Sequence, residues 1–262
     1  MEFVQSSANV AAAPSATATF QTPEKAITSP GDLKKFEASV SYRELLQFIQ
    51  LAAEAIVGFE MPADASTSSS SSSSGRNSNS HTHSSTAITD ITSFLTRISS
   101  WVDEIPPIQQ PMRFGNKAFR DWHARLSREA PLFLAEYLQE HTADRSSAAT
   151  CELEYYLCTS FGNESRIDYG TGHETNFLVF LFCLVKLEIL KRNDLRNMMT
   201  YIFRGYIEVM RKLQEVYILE PAGIIVDFLL YKIDTRIYVI KIYPHTYIQA
   251  PMVYGAWTTT TV

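Results

Sequence analysis

The stretch from Glu152 to Glu174 reads ELEYYLCTSFGNESRIDYGTGHE and joins two strongly apolar segments of this 262-residue chain. Its first half has apolar residues at near-helical spacing, which predicts a helix from about residue 148 to residue 160. Gly162 and Asn163 follow, and both residue types accept the left-handed backbone conformation that ends many helices. An arginine, an aspartate, a histidine and a glutamate come in close succession after them. This pattern indicates a binding surface, because function tends to lie on loops held by a rigid scaffold.

The second half of the stretch contains the signals of a helix start. Thr171 precedes Glu174 by three residues, just before an apolar run, and this spacing predicts a capping box. A helix beginning at Gly172 would direct free backbone N–H groups at the loop, and such an end attracts anions. Arg166 is close enough in sequence to bind a phosphate or a carboxylate through its forked guanidinium group. The alternative is a helix–loop–helix corner without a ligand, in which Arg166 pairs with Asp168 or Glu174.

Three blocks of sequence carry a resemblance to a known family. They are SFGNESRIDYGTGHE at residues 160–174, PMRFGNKAFRDWHARL at 111–126, and EVMRKLQEVYILEPAG at 208–223. Together they resemble the signature segments of the phosphotyrosyl phosphatase activator family, the activators of protein phosphatase 2A. The resemblance extends from about residue 33 to residue 223 and implies a compact, all-α domain of that type.

The resemblance also implies an activity and its ligands. Family members bind the phosphatase 2A catalytic subunit, with or without the scaffold subunit, and use ATP with Mg²⁺ while they help to activate it. They also show peptidyl-prolyl cis-trans isomerase activity on proline-containing peptides, and the implied location is the cytoplasm, extending to the nucleus. The family's ATP contacts carry over to Arg166, Thr171 and Gly172, which agrees with the helix start described above. A partner or peptide surface is expected at Asp168, Tyr169, His173, Glu174, Glu220 and Gly223.

No residue is assigned to the isomerase chemistry. Rotation about a peptide bond has a barrier of about 18–20 kcal/mol because it breaks amide resonance. A site that binds the twisted amide more tightly than either planar form lowers that barrier. An apolar groove with a few hydrogen-bond donors could suffice, so motif spacing does not reveal the catalyst.

The chain departs from the family pattern after Gly223. Relatives are expected to continue there with a Gly-Val-Trp-Gly-Leu-Asp-Asp segment that supplies the magnesium contacts. Here residues 224–262 are rich in isoleucine, tyrosine and valine, so we expect an atypical tail on a C-terminally truncated domain. Two hypotheses remain open: an active phosphatase activator and isomerase, or a non-catalytic phosphatase-binding fragment. A third, an unrelated helical scaffold, is opposed by the three blocks.

Residue patterns divide the chain into four parts. Residues 1–31 are predicted to be a disordered arm, and residues 32–223 a helical domain that contains a serine-rich inserted loop at about 62–87. The remainder is the tail at 224–262. No strand is expected between residues 33 and 219, so the predicted fold class is all-α.

Periodicity within the domain predicts several helices. From Asp32 the pattern is helical, and one apolar stripe is formed by Phe36, Tyr42, Leu45, Leu46, Ile49 and Ile56. A helix with Asn116 as its N-cap is followed by a separate short helix from Pro131 to Gln139. A long amphipathic helix begins near Asp194. Arg120 falls on a helix face expected to be solvated.

Composition excludes several classes of function. A net charge of −5 and a pI of about 5.7 argue against a nucleic-acid-binding protein, which needs a basic surface. The three cysteines have no metal-binding spacing. The apolar run from Phe177 to Val185 is much shorter than the roughly 20 residues that span a bilayer. It is therefore predicted to be a central helix buried on all sides, and no membrane partner is expected.

Overall fold

A computed structural model describes residues 20–59, 85–111, 114–142 and 147–222. Eight α-helices occur in these ranges: α1 Pro30–Glu37, α2 Val40–Glu54, α3 Thr86–Glu104, α4 Ala118–His141, α5 Thr150–Thr159, α6 Thr171–Lys186, α7 Leu195–Asn197 and α8 Arg204–Tyr217. The prediction of an all-α fold is confirmed. Most of the predicted arm and of the serine-rich loop, together with Gly223 and the predicted tail, lies outside the described residues.

The N-terminal boundary of the domain differs slightly from the prediction. Ser29 caps α1, because its hydroxyl accepts from the N–H of Asp32 while the Asp32 carboxylate accepts from the N–H of Ser29. The helical part therefore begins at Pro30 rather than after residue 31. Helix α3 begins at Thr86, close to the predicted C-terminal end of the inserted loop.

The predicted single stripe after residue 32 is wrong. Ser39 stops the first helix and caps the second, since its hydroxyl accepts from the N–H of Tyr42 at 3.1 Å. Leu46, inside α2, is exposed and is not one of the buried residues of that helix. A local capping signal therefore overrides the apparent continuity of the apolar pattern.

The predicted break before Pro131 is also wrong, because Pro131 lies inside α4. A proline in a helix interior removes one hydrogen bond and costs about 3 kcal/mol. Complete burial of Leu126, Ala130 and Leu134 on one face of α4 offsets this cost. The indole N–H of Trp122 also donates to the carbonyl of Ile98, which ties α4 to α3.

The core forms around α6. Its residues from Asn176 to Leu184 are all buried, which confirms the prediction of a central helix. Helix α5 packs on α6 and on α4, while α3 packs on α8. Within the described part of the chain, no helix combines the length and the apolar character that a bilayer crossing needs.

The predicted long helix from Asp194 is a composite. A 3₁₀ turn at Arg192–Asp194 leads into α7, a π-helical turn at Met198–Phe203 follows, and α8 then continues to Tyr217. The extra residue of a π turn shifts the apolar face, which periodicity alone does not reveal.

One of two short strands, Asp168–Tyr169 (β1), contradicts the expectation of no strand between residues 33 and 219. It pairs in parallel with β2, Glu220–Pro221. This pairing joins the loop after α5 to the segment after α8, so it positions the candidate site.

Candidate functional site

The signature loop, residues 160–170 between α5 and α6, closes on itself through its backbone. Gly162 has a φ of +107°, in the left-handed region, which confirms the predicted helix end. A Cβ atom there would lie 2.7 Å from the carbonyl oxygen of Asp168. The N–H of Asn163 donates to that oxygen at 3.0 Å, and the Asn163 side chain accepts from the N–H of Arg166 at 2.9 Å. The turn is therefore specified by a glycine and an asparagine.

Arg120 on α4 holds the signature loop from outside. Its Nε donates to the carbonyl of Glu164 at 3.1 Å, and its Nη2 donates to the carbonyl of Ser165 at 3.0 Å. Arg120 is exposed, as expected for a solvated helix face, but its contact with the loop was not predicted. Helical periodicity does not detect a contact between residues that are 44 positions apart. The only sequence signal was the position of Arg120 within the second family block.

The other end of the signature loop is fixed by β2. The N–H of Ala222 donates to the carbonyl of Tyr169 at 2.8 Å. Gly170 is required at this crossing, because a Cβ atom there would lie 2.5 Å from the carbonyl oxygen of Ala222. Glu220, in β2, is exposed.

The second and third family blocks also contact each other directly. The N–H of Gly115 donates to the carbonyl of Ile218 at 2.7 Å, and the N–H of Asn116 donates to that of Tyr217 at 2.8 Å. The three blocks that carry the resemblance therefore meet around one loop.

Arg166 and Asp168 form an ion pair on this loop. Nε and Nη2 of Arg166 donate to the two carboxylate oxygens of Asp168, at 2.5 and 3.2 Å. The pairing of Arg166 with Asp168 that the ligand-free alternative predicted is therefore present, and the choice between that alternative and a ligand site stays open. The Asp168 side chain is only 10% exposed, whereas the Arg166 side chain is 60% exposed. A guanidinium group has five N–H donors, so this pair leaves donors that could bind an anion.

His173 lies beside the pair on the first turn of α6. Its Nδ1 donates to the carbonyl of Thr159 at 2.6 Å, so the proton of the neutral ring is on Nδ1. Its Nε2 lies 3.8 Å from Oδ1 of Asp168. Burial lowers the pKa of His173, and Arg166 acts in the same direction, while the hydrogen bond to Thr159 and the charge of Asp168 partly oppose them. The imidazole is therefore neutral at physiological pH.

The predicted capping box at the start of α6 is wrong. The N-cap is Gly170, no side chain of the described residues caps the helix, and Thr171 is its first residue. The extended backbone of Gly170 places the start one residue earlier than predicted. The backbone N–H groups of Thr171 and Gly172 have no hydrogen-bond acceptor within the helix, because they lie in its first turn. A Cβ atom on Gly172 would meet no atom within 4 Å, so the start of α6 is open and carries the positive end of the helix dipole.

Glu174 joins a buried chain of hydrogen bonds instead of capping the helix. Its Oε1 lies 3.1 Å from the hydroxyl of Tyr169, which is 3.0 Å from the hydroxyl of Tyr206. Tyr206 in turn donates to the carbonyl of Ser160 at 2.8 Å. The chain connects α8 to both ends of the signature loop. Periodicity places Tyr206 only in a helix stripe, so its part in the site was missed.

A cleft of about 550 Å³ lies next to the second family block. Three exposed apolar side chains line it: Ile108 (49% exposed), Phe114 (42%) and Ile218 (48%). Asn116 holds one wall, since its side chain exchanges two hydrogen bonds with the backbone of Ile108. The N-cap position of α4 is Lys117, one residue after the predicted Asn116, but it is the Asn116 side chain that accepts from the N–H of Ala118, at 3.1 Å. The cleft combines apolar surface with amide groups, as a peptide groove requires.

One group of described side chains elsewhere has donor atoms close enough to hold a metal ion: Asp90, Glu140 and His141. Nε2 of His141 lies 2.8 Å from Oδ2 of Asp90, so this pair is also explained as an ion pair between α3 and α4. None of these residues belongs to the three family blocks.

The nine predicted site residues thus have different outcomes. The structure brings seven of them together on the signature loop and the first turn of α6: Arg166, Asp168, Tyr169, Thr171, Gly172, His173 and Glu174. Glu220 joins them through β2, and Gly223 lies outside the described residues. Their roles toward ATP or a partner stay predictions.

The fold and the site define an all-helical protein with an exposed guanidinium group beside an open helix start. A family model described as "Phosphotyrosyl phosphate activator (PTPA) protein" matches residues 23–226, and the chain belongs to this family. The expectation drawn from the three blocks is confirmed.

Known relatives agree with this assignment. The chain is 38% identical over 205 residues to the probable serine/threonine-protein phosphatase 2A activator 1 of Dictyostelium discoideum, and the match covers 78% of this chain and 56% of that protein. It is 35% identical over 199 residues to the serine/threonine-protein phosphatase 2A activator of Drosophila melanogaster, and this match covers 76% of this chain and 45% of that protein. The chain therefore spans about half the length of these relatives. The crystal structure of the PP2A phosphatase activator Ypa1 PTPA1 superimposes with a TM-score of 0.69 and 29% identity, covering 82% of this chain and 62% of that one.

Proposed function

We propose that this chain acts as an activator of protein phosphatase 2A and binds the phosphates of ATP at the signature loop. The observation that supports the nucleotide site is the exposed guanidinium of Arg166 beside the uncapped start of α6. Phosphate binds well at such a helix end, because backbone N–H groups and the helix dipole both favour an anion. The relatives are named for the phosphatase, which supports the choice of partner.

The residues of the loop have distinct parts in this proposal. The N–H groups of Thr171 and Gly172 donate to the phosphate, and the missing side chain at Gly172 gives it room. Asp168 orients the Arg166 guanidinium, which then offers its free donors to the anion. Mg²⁺ would neutralise part of the phosphate charge, and no residue of the described ranges is assigned to it.

The cleft beside the second block supports the isomerase part of the proposal. An X–Pro peptide could rest on Phe114 and Ile218, while the apolar walls exclude water from the bond that rotates. Such a site stabilises the twisted amide because that form has lost resonance and is less dependent on water around its carbonyl oxygen. The catalytic subunit of the phosphatase is the proposed macromolecular partner.

ATP titration of the full chain tests the nucleotide site. Arg166→Ala should remove about 1–2 kcal/mol of charge-assisted hydrogen bonding, which weakens binding roughly 5- to 30-fold. Arg204→Ala is the matched control, because Arg204 is also partly exposed and pairs with a carboxylate, that of Glu208. Equal affinities for the wild type and Arg166→Ala would contradict the nucleotide site.

A phosphatase 2A reactivation assay with ATP and Mg²⁺ tests the activator role. Reactivation by the full chain, reduced in Arg166→Ala, is the expected result. Binding to the catalytic subunit without reactivation would favour the alternative of a non-catalytic phosphatase-binding fragment.

The isomerase part is tested by the rate of cis-trans conversion of a proline-containing peptide. Phe114→Ala should lower the rate about tenfold or more, as expected for truncation of an aromatic side chain at a binding surface. Leu132→Ala is the control, since Leu132 is an exposed apolar residue on α4 that does not line the cleft. Equal effects of the two variants would exclude this cleft as the peptide site.

A further inference from the structure

Three oxygen–oxygen contacts run in series from Glu174, which is part-buried, to Ser160, which is buried. The distances are 3.1 Å from Glu174 to the hydroxyl of Tyr169, 3.0 Å between the hydroxyls of Tyr169 and Tyr206, and 2.8 Å from Tyr206 to the carbonyl of Ser160. Each distance is typical of a hydrogen bond, so each contact needs one hydrogen atom. Both tyrosines are buried, Tyr206 completely.

An ionised Glu174 leaves this chain one hydrogen short. Each phenol carries one hydrogen, and the carbonyl of Ser160 carries none. Two hydrogens cannot satisfy three contacts, so one pair of oxygens would face each other through lone pairs alone, which is costly in a buried environment. A protonated Glu174 supplies the third hydrogen, and all donors then point along the chain toward Ser160.

The surroundings of Glu174 favour the neutral form. The titratable groups that contact its carboxyl are the phenol of Tyr169 on β1 and, through it, the phenol of Tyr206 on α8. Burial raises the pKa of both phenols, so they stay neutral. His173, the neighbour of Glu174 on α6, is neutral and faces Asp168. No cation of the described ranges forms an ion pair with Glu174, and burial raises the pKa of its carboxyl against the weaker effect of the Tyr169 hydrogen bond.

We infer that Glu174 carries a proton in the folded protein and that its ionisation weakens anion binding at the start of α6. The second half of this inference rests on the nucleotide site proposed above, and the first half does not. Glu174 lies on the first turn of α6, where a neutral side chain leaves the positive end of the helix dipole free for a phosphate. An ionised carboxylate on the same turn repels the phosphate, and we expect roughly fivefold weaker nucleotide binding.

The pH dependence of ATP affinity tests the second half. The full chain and Glu174→Gln are titrated with ATP from about pH 5 to about pH 8, and the ratio of their dissociation constants is plotted. Ionisation of ATP itself affects both proteins equally and cancels in the ratio. The ratio should be close to one at the acidic end and rise to roughly fivefold as the pH passes through the pKa of Glu174. A ratio that does not change with pH would overturn the coupling.

Infrared spectroscopy of the ligand-free chain tests the proton directly. A carboxylic acid C=O band should be present in the wild type at neutral pH and absent in Glu174→Gln. In Tyr206→Phe the ring can still stack on Phe177, but both contacts of the Tyr206 hydroxyl are gone, so the hydrogen of Tyr169 is enough for the one contact that remains, even with an ionised carboxylate. The band should therefore titrate at lower pH in Tyr206→Phe. Absence of the band in the wild type overturns the inference whether or not ATP binds, whereas a band without any ATP binding overturns the nucleotide site and the coupling.

Discussion

Replacing Gly162 by alanine should destabilise the fold through the signature loop. A φ of +107° lies outside the region that residues with a Cβ atom occupy at low cost, and such strain costs on the order of 1–3 kcal/mol. The new Cβ atom would also lie 2.7 Å from the carbonyl oxygen of Asp168, a backbone atom that no rotamer change can move away. Displacing that carbonyl disturbs its hydrogen bond with Asn163, a loss of about 1 kcal/mol. The sum is a loss of about 2–4 kcal/mol of unfolding free energy.

Thermal and urea-induced unfolding of the purified chain measure this loss. A decrease of about 2–4 kcal/mol corresponds to a lowering of Tm by roughly 5–12 °C for a chain of this size. Gly172→Ala is the matched control, because a Cβ atom there meets no atom within 4 Å and Gly172 is inside α6. Alanine is favoured over glycine in a helix by about 0.5–1 kcal/mol, so this variant should be as stable as the wild type or more stable.

The two alanine variants also separate stability from binding. Gly162→Ala moves the loop and should weaken ATP binding together with stability, whereas Gly172→Ala should weaken ATP binding alone because its methyl group enters the space assigned to phosphate. An unchanged Tm in Gly162→Ala would refute the reasoning about the closed turn, whatever the effect on ATP.

Two further predictions concern the support of the loop and its titration. Arg120→Ala removes two hydrogen bonds that the guanidinium group donates to loop carbonyls, so the free energy of unfolding should fall by about 1 kcal/mol. Amide hydrogen exchange should also become faster at residues 163–168. Unchanged exchange rates there would contradict the role of Arg120. Acidification should destabilise the fold, because burial lowers the pKa of His123 and His173 and the unfolded chain then binds protons that the folded chain does not. The stability that the two neutral histidines contribute is fully present above about pH 6.5, the pKa of histidine in the unfolded chain. It is lost as the pH falls toward their lower pKa values in the folded chain. Urea unfolding between about pH 7.5 and pH 5.5 should show a smaller loss in His173→Gln than in the wild type.

Local features of the fold could be predicted from the sequence because their causes are local. The apolar run at Phe177 predicts a fully buried α6, and Gly162 with Asn163 predicts the end of α5. Both depend on residues within one or two turns of helix. The family blocks added the assignment of Arg166, Thr171 and Gly172 to one site, and the structure does bring these three residues together.

The features of the structure that the sequence did not predict depend on contacts between residues distant in sequence, or on competition between a local signal and tertiary packing. Arg120 contacts the signature loop across 44 residues, and β1 pairs with a segment beyond α8, so neither contact has a periodic signature. The capping box failed because Glu174 has a stronger alternative in the hydroxyl of Tyr169, which is adjacent only in the folded chain. Pro131 stays in a helix because tertiary packing outweighs its local cost.

Ile167 shows how the fold maintains a strained backbone in the signature loop. Its φ of 54° is unusual for a β-branched residue and costs on the order of 1–3 kcal/mol. Its side chain is buried and lies next to the second block, where a Cβ atom on Gly115 would be 3.4 Å from the Cβ atom of Ile167, in van der Waals contact. Burial of an isoleucine stabilises by about 1.5–3 kcal/mol, which offsets the strain. Arg166 and Asp168, on either side of Ile167 in the sequence, can then form their ion pair. The packing of the Ile167 side chain against the second family block therefore positions the ion pair of the signature loop.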